Sequence, residues 1–158
     1  MMRVLFVCLG NICRSPSAEG VFREQLRQAG LAERVEVDSC GIGHWHVGKA
    51  PDRRAQAAAN QRGIDLSALR ARTLAAEDFE RFDYILAMDH DNLAAIEARK
   101  PADCRAQTEL FLRYAGRPGE AVPDPYFGGD DGFERVLDLI ESASDGLIVE
   151  IQRRLAGS

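Results

Sequence analysis

The chain has no excess of positive charge, few cysteines and no long apolar run, and each shortage removes a class of function. Its 158 residues carry 20 Lys and Arg against 25 Asp and Glu, a formal charge of -5. Such a balance gives no general attraction for phosphate backbones or anionic lipids, so any anion must be recognised by a local arrangement, and neither nucleic acid nor membrane is expected as a partner. Four cysteines, Cys8, Cys13, Cys40 and Cys104, are too few and too scattered for a secreted disulfide framework, and reduced thiols are expected. The apolar run at the start ends at Gly10-Asn11 and meets Arg14, too short for a signal sequence or a membrane span, so a cytoplasmic location is expected. Neither G-x-G-x-x-G nor G-x-x-x-x-G-K-[ST] occurs, which argues against nucleotide binding. Cys8 and Cys13 as metal ligands need two more ligands, and Cys40, Cys104 and the His44-Trp45-His46 triplet supply no recognisable spacing, so no metal or cofactor is expected.

What is present reads as one α/β domain over residues 1–158, with 46% hydrophobic content and no repeat, linker or low-complexity tract. Arg3 to Cys8 is apolar without alternation, as in a strand covered on both faces of a parallel sheet; Val35 to Asp38 and Asp83 to Met88 read likewise, and a weaker strand is expected near Gln107 to Leu110. Between them the period becomes helical. Ala18, Val21, Phe22, Leu26 and Ala29 form one stripe, opened by Ser15-Pro16 as cap and first residue and closed by Gly30. Pro51-Asp52 opens a helix to about Arg62, and Asp89 or Asp91 caps another to about Lys100. A long C-terminal helix follows from Phe133, Val136, Leu137, Ile140, Ala143, Leu147, Ile148, Ile151 and Leu155, with Asp131 and Glu134 spaced for a capping box. Alternating strands and helices predict a doubly wound parallel sheet with its functional loops at one edge.

The loop between the first strand and helix, Cys8-Leu9-Gly10-Asn11-Ile12-Cys13-Arg14-Ser15, then lies on a helix N-terminus. Unpaired N–H groups and the positive end of the helix dipole make that position an anion site, and Gly10 and Asn11 tolerate the positive φ angles that turn N–H groups inward. The same field favours the thiolate form of Cys8, a nucleophile. Arg14 offers a fork for two oxygens of a phosphoryl group, and the Ser15 hydroxyl can donate to the sulfur, both at rest and when a phosphocysteine breaks down. A thiolate that displaces a phenol needs a proton donor. The "VPDPYF" segment supplies the candidate: Pro123 and Pro125 stiffen the backbone around Asp124, and a bound dianion would keep that carboxyl protonated until transfer. Trp45, Tyr126 and Phe127 can wall a slot for a flat ring, although aromatics clustered in a loop are more often partial core.

"VCLGNICRSPSAEG" resembles the signature loop of the low-molecular-weight protein tyrosine phosphatases, and the likeness extends to "DSCG" at 38–41, "WHVG" at 45–48, "FDYILAMD" at 82–89 and "DPYF" at 124–127. The resemblance implies a four-stranded parallel sheet flanked by helices, no metal, and two-step hydrolysis through phosphocysteine with Asp124 as acid and then base. It also implies Trp45 and Tyr126 at the mouth of a deep site, with Leu9 adding an apolar contact, and Ser39 bonded to Asn11. The implied partner is a tyrosine-phosphorylated protein, in bacteria a tyrosine kinase or its targets, and the chain is expected to be a monomer or a weak homo-oligomer.

The chain departs from the pattern at Ala68, where many members of that family carry a histidine joined to the network behind the loop, and at Phe127, where some have a second tyrosine. A low-pKa nucleophile is oxidised readily, and Cys13 in the same loop could capture it as a disulfide. Two other activities fit parts of the pattern. A thioredoxin-coupled arsenate reductase shares this fold and loop but needs a relay of further cysteines in the second half of the chain, where only Cys104 lies. A phosphotyrosine-binding module without turnover would have lost Cys8, Arg14 or Asp124, and all three are present.

Overall fold

The computed structural model describes residues 1–126 and 131–157. Four parallel strands, β1 (Met2–Cys8), β2 (Val35–Gly41), β3 (Tyr84–Ala87) and β4 (Gln107–Leu110), lie in the order β2-β1-β3-β4. The helices are α1 (Arg14–Gln28), α2 (Arg53–Asn60), the single turn α3 (Asp78–Arg81), α4 (His90–Arg99) and α5 (Asp131–Ala156), with a 3-10 helix at Phe111–Ala115. The expected architecture is therefore present. The two short helices, α3 and the 3-10 segment, carry too little periodicity to be read from the sequence.

β1 is apolar throughout because it is central. Val4, Phe6 and Cys8 face a core shared with α1, α2 and α5, while Leu5 and Val7 face a second core built with Leu74, Phe79, Phe82 and Ile96. On the first face Phe6 packs edge-on against Phe22 of α1 and Phe111, with ring centres 5.6 and 4.8 Å apart. Burial of each such side chain contributes about 1.5–3 kcal/mol, against about 0–1 for an exposed ion pair, so these two cores and not the surface charges hold the sheet.

The chain runs from β1 outward to β2, then returns past β1 to β3. The connections leaving β1 and β3 therefore depart to opposite faces and open a crevice at their C-terminal ends, the usual binding position in a sheet of this kind. Two segments are stitched to this edge. Met88 N–H donates to the Val7 carbonyl, and Val122 N–H donates to the Met88 carbonyl at 2.7 Å, which brings the segment that carries Asp124 alongside the crevice.

One detail differs from the sequence expectation, one alternative is decided and one expectation falls outside the described residues. α1 begins at Arg14 with Cys13 at the cap position, and Ser15 lies inside the first turn, because its hydroxyl is engaged by Cys8 and Asn11 and is not turned to the helix amides. Asp89, not Asp91, caps α4, by accepting from Asn92 N–H. α5 starts at Asp131, and the residues before it, with any box they form, lie outside the described residues.

Candidate active site

Cys8 ends β1 and is 3% exposed at the floor of a pocket lined by Leu9, Gly10, Ile12, Cys13, Arg14, Trp45, His46, Asp124 and Tyr126. The sulfur lies 2.9 Å from Ser15 Oγ and accepts from Asn11 N–H at 3.3 Å. Ser15 has one hydroxyl hydrogen and two acceptors within reach, Cys8 Sγ and the Cys40 carbonyl at 3.3 Å. Asn11 Nδ2 already donates to Ser15 Oγ at 2.8 Å, which turns that hydrogen away from Asn11. The shorter contact, to Cys8 Sγ, is the one that sets this hydroxyl beside the sulfur.

Asn11 is the hinge of the loop. It is the one non-glycine described residue with positive φ, 58°, and its buried side chain is bound by Ser15, by Ser39 Oγ at 3.0 Å and by the backbone N–H of Arg72 at 3.0 Å. Gly10, expected to share the left-handed conformation, does not; it is small for a different reason, since a Cβ there would come within 2.9 Å of the His46 ring. Gly41, facing Cys8 across the ladder, allows a close approach of backbones, because a Cβ would lie 2.9 Å from the Leu9 carbonyl oxygen and 3.1 Å from Asn11 N. The amides of Gly10, Ile12 and Cys13 have no acceptor among the described residues, which leaves donors for an anion over Cys8.

Behind the loop Ser39 donates to Glu19 at 2.6 Å, and Glu19 pairs with Arg23 at 2.7 Å. Burial pushes the Glu19 carboxyl up, while Ser39 and Arg23 pull it down. Ala68, the position of the absent histidine, is exposed, and the network closes without it through Arg72, whose side chain is fixed by Asp38 and Asp78. Glu19 could have been noticed in the sequence as a carboxylate beside the apolar stripe of α1, four residues before Arg23.

Arg14 is 3% exposed at its side chain and is held from one side only. Nη1 donates to Asp89 at 2.7 Å and to the Val122 carbonyl at 3.1 Å, while Nη2 lies 3.6 Å from Asp124 Oδ2. Asp89 thus has two tasks, the cap of α4 and the anchor of the arginine, and only the first was legible. Asp124 Oδ1 accepts from Tyr126 N–H at 3.0 Å, which closes an Asx turn around Pro125. The other carboxylate oxygen faces the pocket beside Arg14.

Burial pushes the Cys13 thiol up to about 12, with Asp52, Cys8 and Asp124 adding to the effect, so it stays protonated at neutral pH. At the rim Trp45 is 62% exposed and stacks on His44, and Leu9 and Tyr126 are exposed beside the opening. Phe127, the remaining expected wall residue, lies outside the described residues. Cys104 lines a different hollow with Phe79 and Pro101, so among the described residues no cysteine relay reaches Cys8. No group of three or more potential metal ligands converges among the described residues, and no helix of theirs is long and apolar enough to cross a membrane.

A doubly wound sheet whose first strand ends in a cysteine, cradled by a loop on a helix N-terminus and faced by a buried arginine and a carboxylate, forms a pocket built for an anion at the sheet edge. The sequence pattern described as "Low molecular weight phosphotyrosine protein phosphatase" matches residues 3–156, and the chain belongs to that family, whose reaction is the hydrolysis of phosphotyrosine. A fission-yeast (Schizosaccharomyces pombe) low molecular weight phosphotyrosine protein phosphatase is 53% identical over 135 residues, 84% of this chain and 85% of that one. A Streptomyces coelicolor low molecular weight protein-tyrosine-phosphatase is 42% identical over 98% of this chain and 96% of its own. The crystal structure of a protein tyrosine phosphatase from Entamoeba histolytica, with Hepes in its active site, superposes with a TM-score of 0.92 at 37% identity, over 97% of this chain and 98% of that one.

Proposed function

We propose that Cys8 is the nucleophile of a protein-tyrosine phosphatase in which Arg14 clamps the phosphoryl group and Asp124 shuttles the proton, the whole chain acting as one catalytic domain. The observation that carries this is the pairing of a sulfur bound by an O–H and an N–H donor with a carboxylate on the rim, 3.6 Å from the arginine that faces the same space. The Cys8 thiolate attacks phosphorus in line. Asp124 gives its proton to the departing phenol oxygen, and the loop amides with Arg14 take up the charge on the phosphoryl oxygens. In the second step Asp124 removes a proton from water, which attacks the phosphocysteine, and Ser15 steadies the departing thiolate. Leu9, Trp45 and Tyr126 wall the pocket for the ring, and the depth of Cys8 suits phosphotyrosine better than the shorter phosphoserine. No cofactor enters these steps. The substrate is a tyrosine-phosphorylated protein in the cytoplasm, in a bacterial cell a tyrosine kinase or its targets, and the chain acts as a monomer or weak homo-oligomer.

Hydrolysis of an aryl phosphate without added metal tests the assignment. Cys8→Ser should fall to background, a loss of at least ~10⁴-fold, and a fully active Cys8→Ser protein would end the proposal. Asp124→Ala should lose on the order of 10²-fold on a poor phenol leaving group and much less on a good one; equal losses on both would remove Asp124 from the acid role.

Cys13 protects the nucleophile. Peroxide converts the Cys8 thiolate to a sulfenic acid with release of hydroxide, and the Cys13 thiol then attacks that sulfur, its proton leaving with the hydroxyl as water, to give a disulfide that reductant reopens. After peroxide and then reductant the parent should regain activity while Cys13→Ser should not; full recovery by Cys13→Ser would exclude this role.

A further inference from the structure

The geometry points to Arg54 as a positioning residue that registers the acid loop to the phosphate loop, so that proton transfer depends on a side chain that touches neither substrate nor phosphate. The inference rests on the assignment of Asp124 as the acid.

Arg54 lies in the first turn of α2 and connects segments that the sequence keeps more than forty residues apart. Asp52 N–H donates to the Ile12 carbonyl at 2.8 Å, which ties the start of α2 to the loop around Cys8. The Asp52 carboxylate accepts from Arg54 Nε and Nη2, each at 3.1 Å, and from Arg54 N–H at 2.8 Å. Arg54 Nη2 then donates to the Tyr126 carbonyl at 2.9 Å. The Tyr126 N–H in turn holds Asp124 Oδ1 at 3.0 Å. The guanidinium also lies over two rings, Tyr126 at 5.5 Å and Phe133 of α5 at 4.9 Å. A continuous series of bonds thus runs from Ile12, through Asp52, Arg54 and Tyr126, to the carboxylate that must meet the phenol oxygen.

Such a tie matters because the acid loop leaves the sheet before it reaches Asp124. Val122 is fixed by Met88 and by Arg14, but Asp124 and Tyr126 are exposed and past the end of the sheet. Pro123 and Pro125 limit the shape of the segment; they do not say where it lies relative to Cys8. The arginine can do this and a lysine cannot, since one planar fork binds a carboxylate and a carbonyl while its face covers an aromatic ring. Displacement of an acid by about 1 Å costs up to ~10²-fold in rate. A loss here should therefore resemble a partial loss of Asp124.

The test compares Arg54→Met, Asp124→Ala and the double variant on two aryl phosphates, one with a poor and one with a good phenol leaving group, with thermal unfolding as a control for folding. Arg54→Met should lose about tenfold in kcat/KM, which reports the first step alone, on the poor leaving group and less than about twofold on the good one. In the Asp124→Ala background the Arg54→Met effect should vanish. Arg54→Lys should resemble Arg54→Met, because charge without the fork does not fix the carbonyl, and it serves if the methionine variant does not fold. Equal losses on both substrates, or an Arg54 effect that persists without Asp124, would overturn the inference while the acid assignment stands. If Asp124→Ala itself showed no dependence on the leaving group, the acid assignment and this inference would fall together.

Discussion

Asn11 and Asp124 serve the same pocket, yet one is 3% exposed and bound on three sides while the other has a side chain 39% exposed and is tied through a neighbouring amide. The loop that carries Asn11 holds a fixed charge distribution around a sulfur and phosphoryl oxygens, and it gains from rigidity because a preorganised cradle costs nothing to reorganise during reaction. In the proposed mechanism the loop that carries Asp124 has to exchange a proton with a phenol and then with water, a task that suits a place near solvent. Each task favours its own degree of burial. The contrast predicts that changes in the first loop damage stability and all substrates together, and that changes at the second act on selected substrates and spare the fold.

The largest effect expected inside the cradle, short of losing Cys8, is at Arg14. Arg14→Lys keeps the charge but loses the fork that grips two oxygens while Asp89 and Val122 hold Nη1. Activity should fall on the order of 10²–10³-fold, and equally on good and poor leaving groups, since phosphoryl charge is common to both. A loss confined to poor leaving groups would place Arg14 with the acid and not with the cradle.

Asn11→Ala comes next and should separate the two loops most clearly. It removes three buried hydrogen bonds and puts a β-carbon residue without a polar side chain at φ 58°. At about 1 kcal/mol for each of these four effects the fold should lose about 4 kcal/mol, a fall of roughly 12 °C in the melting temperature, with kcat reduced on every substrate. Trp45→Ala, at the exposed rim, should leave the melting temperature within about 2 °C and raise KM about fivefold for a phosphotyrosyl peptide, with little change for a small aryl phosphate. If Trp45→Ala destabilised the protein as much as Asn11→Ala, the contrast between cradle and rim would not hold.

The same difference explains what was legible in the sequence. The cradle is contiguous, so strand, loop and helix could be read from Val4 to Leu26, and with them the convergence of Cys8, Arg14 and Ser15 on one loop. The sheet followed because Val4 to Val7 and Tyr84 to Ala87 are buried on both faces, which leaves them apolar without alternation. What could not be read comes from tertiary approach. Asp89 looked like a helix cap because its second partner lies 75 residues away. Gly10 looked like a turn glycine, whereas its constraint is the ring of His46. Asp52 and Arg54 looked like an ordinary helix start, and their part in the site depends on where the acid loop returns. The Ser15 hydroxyl lies beside the sulfur, as its place in the loop predicts, and so does not cap α1 as the Ser-Pro pair suggests.

The smallest expected effect concerns alkaline pH, and it tests whether the cradle is dry as well as rigid. Cys13 in the native loop is pushed up to about 12, chiefly by burial, and Cys40 at the end of β2 is pushed well above its ordinary value for the same reason. In the unfolded chain both thiols ionise near their ordinary value of about 8.5. The native state therefore binds more protons than the unfolded state above that pH, and stability must fall as pH rises. The contribution is complete below about pH 8.5 and is lost progressively toward pH 12. Tyr84, also pushed up to about 12 by burial and by its bond to Glu150 at the other end of the sheet, acts in the same direction. Urea midpoints measured from pH 7 to 10.5 should decline, and the decline should be shallower in Cys13→Ser than in the parent. An equal slope in the two proteins would mean that water reaches Cys13 in the native loop, and that the cradle is as open to solvent as the acid that faces it.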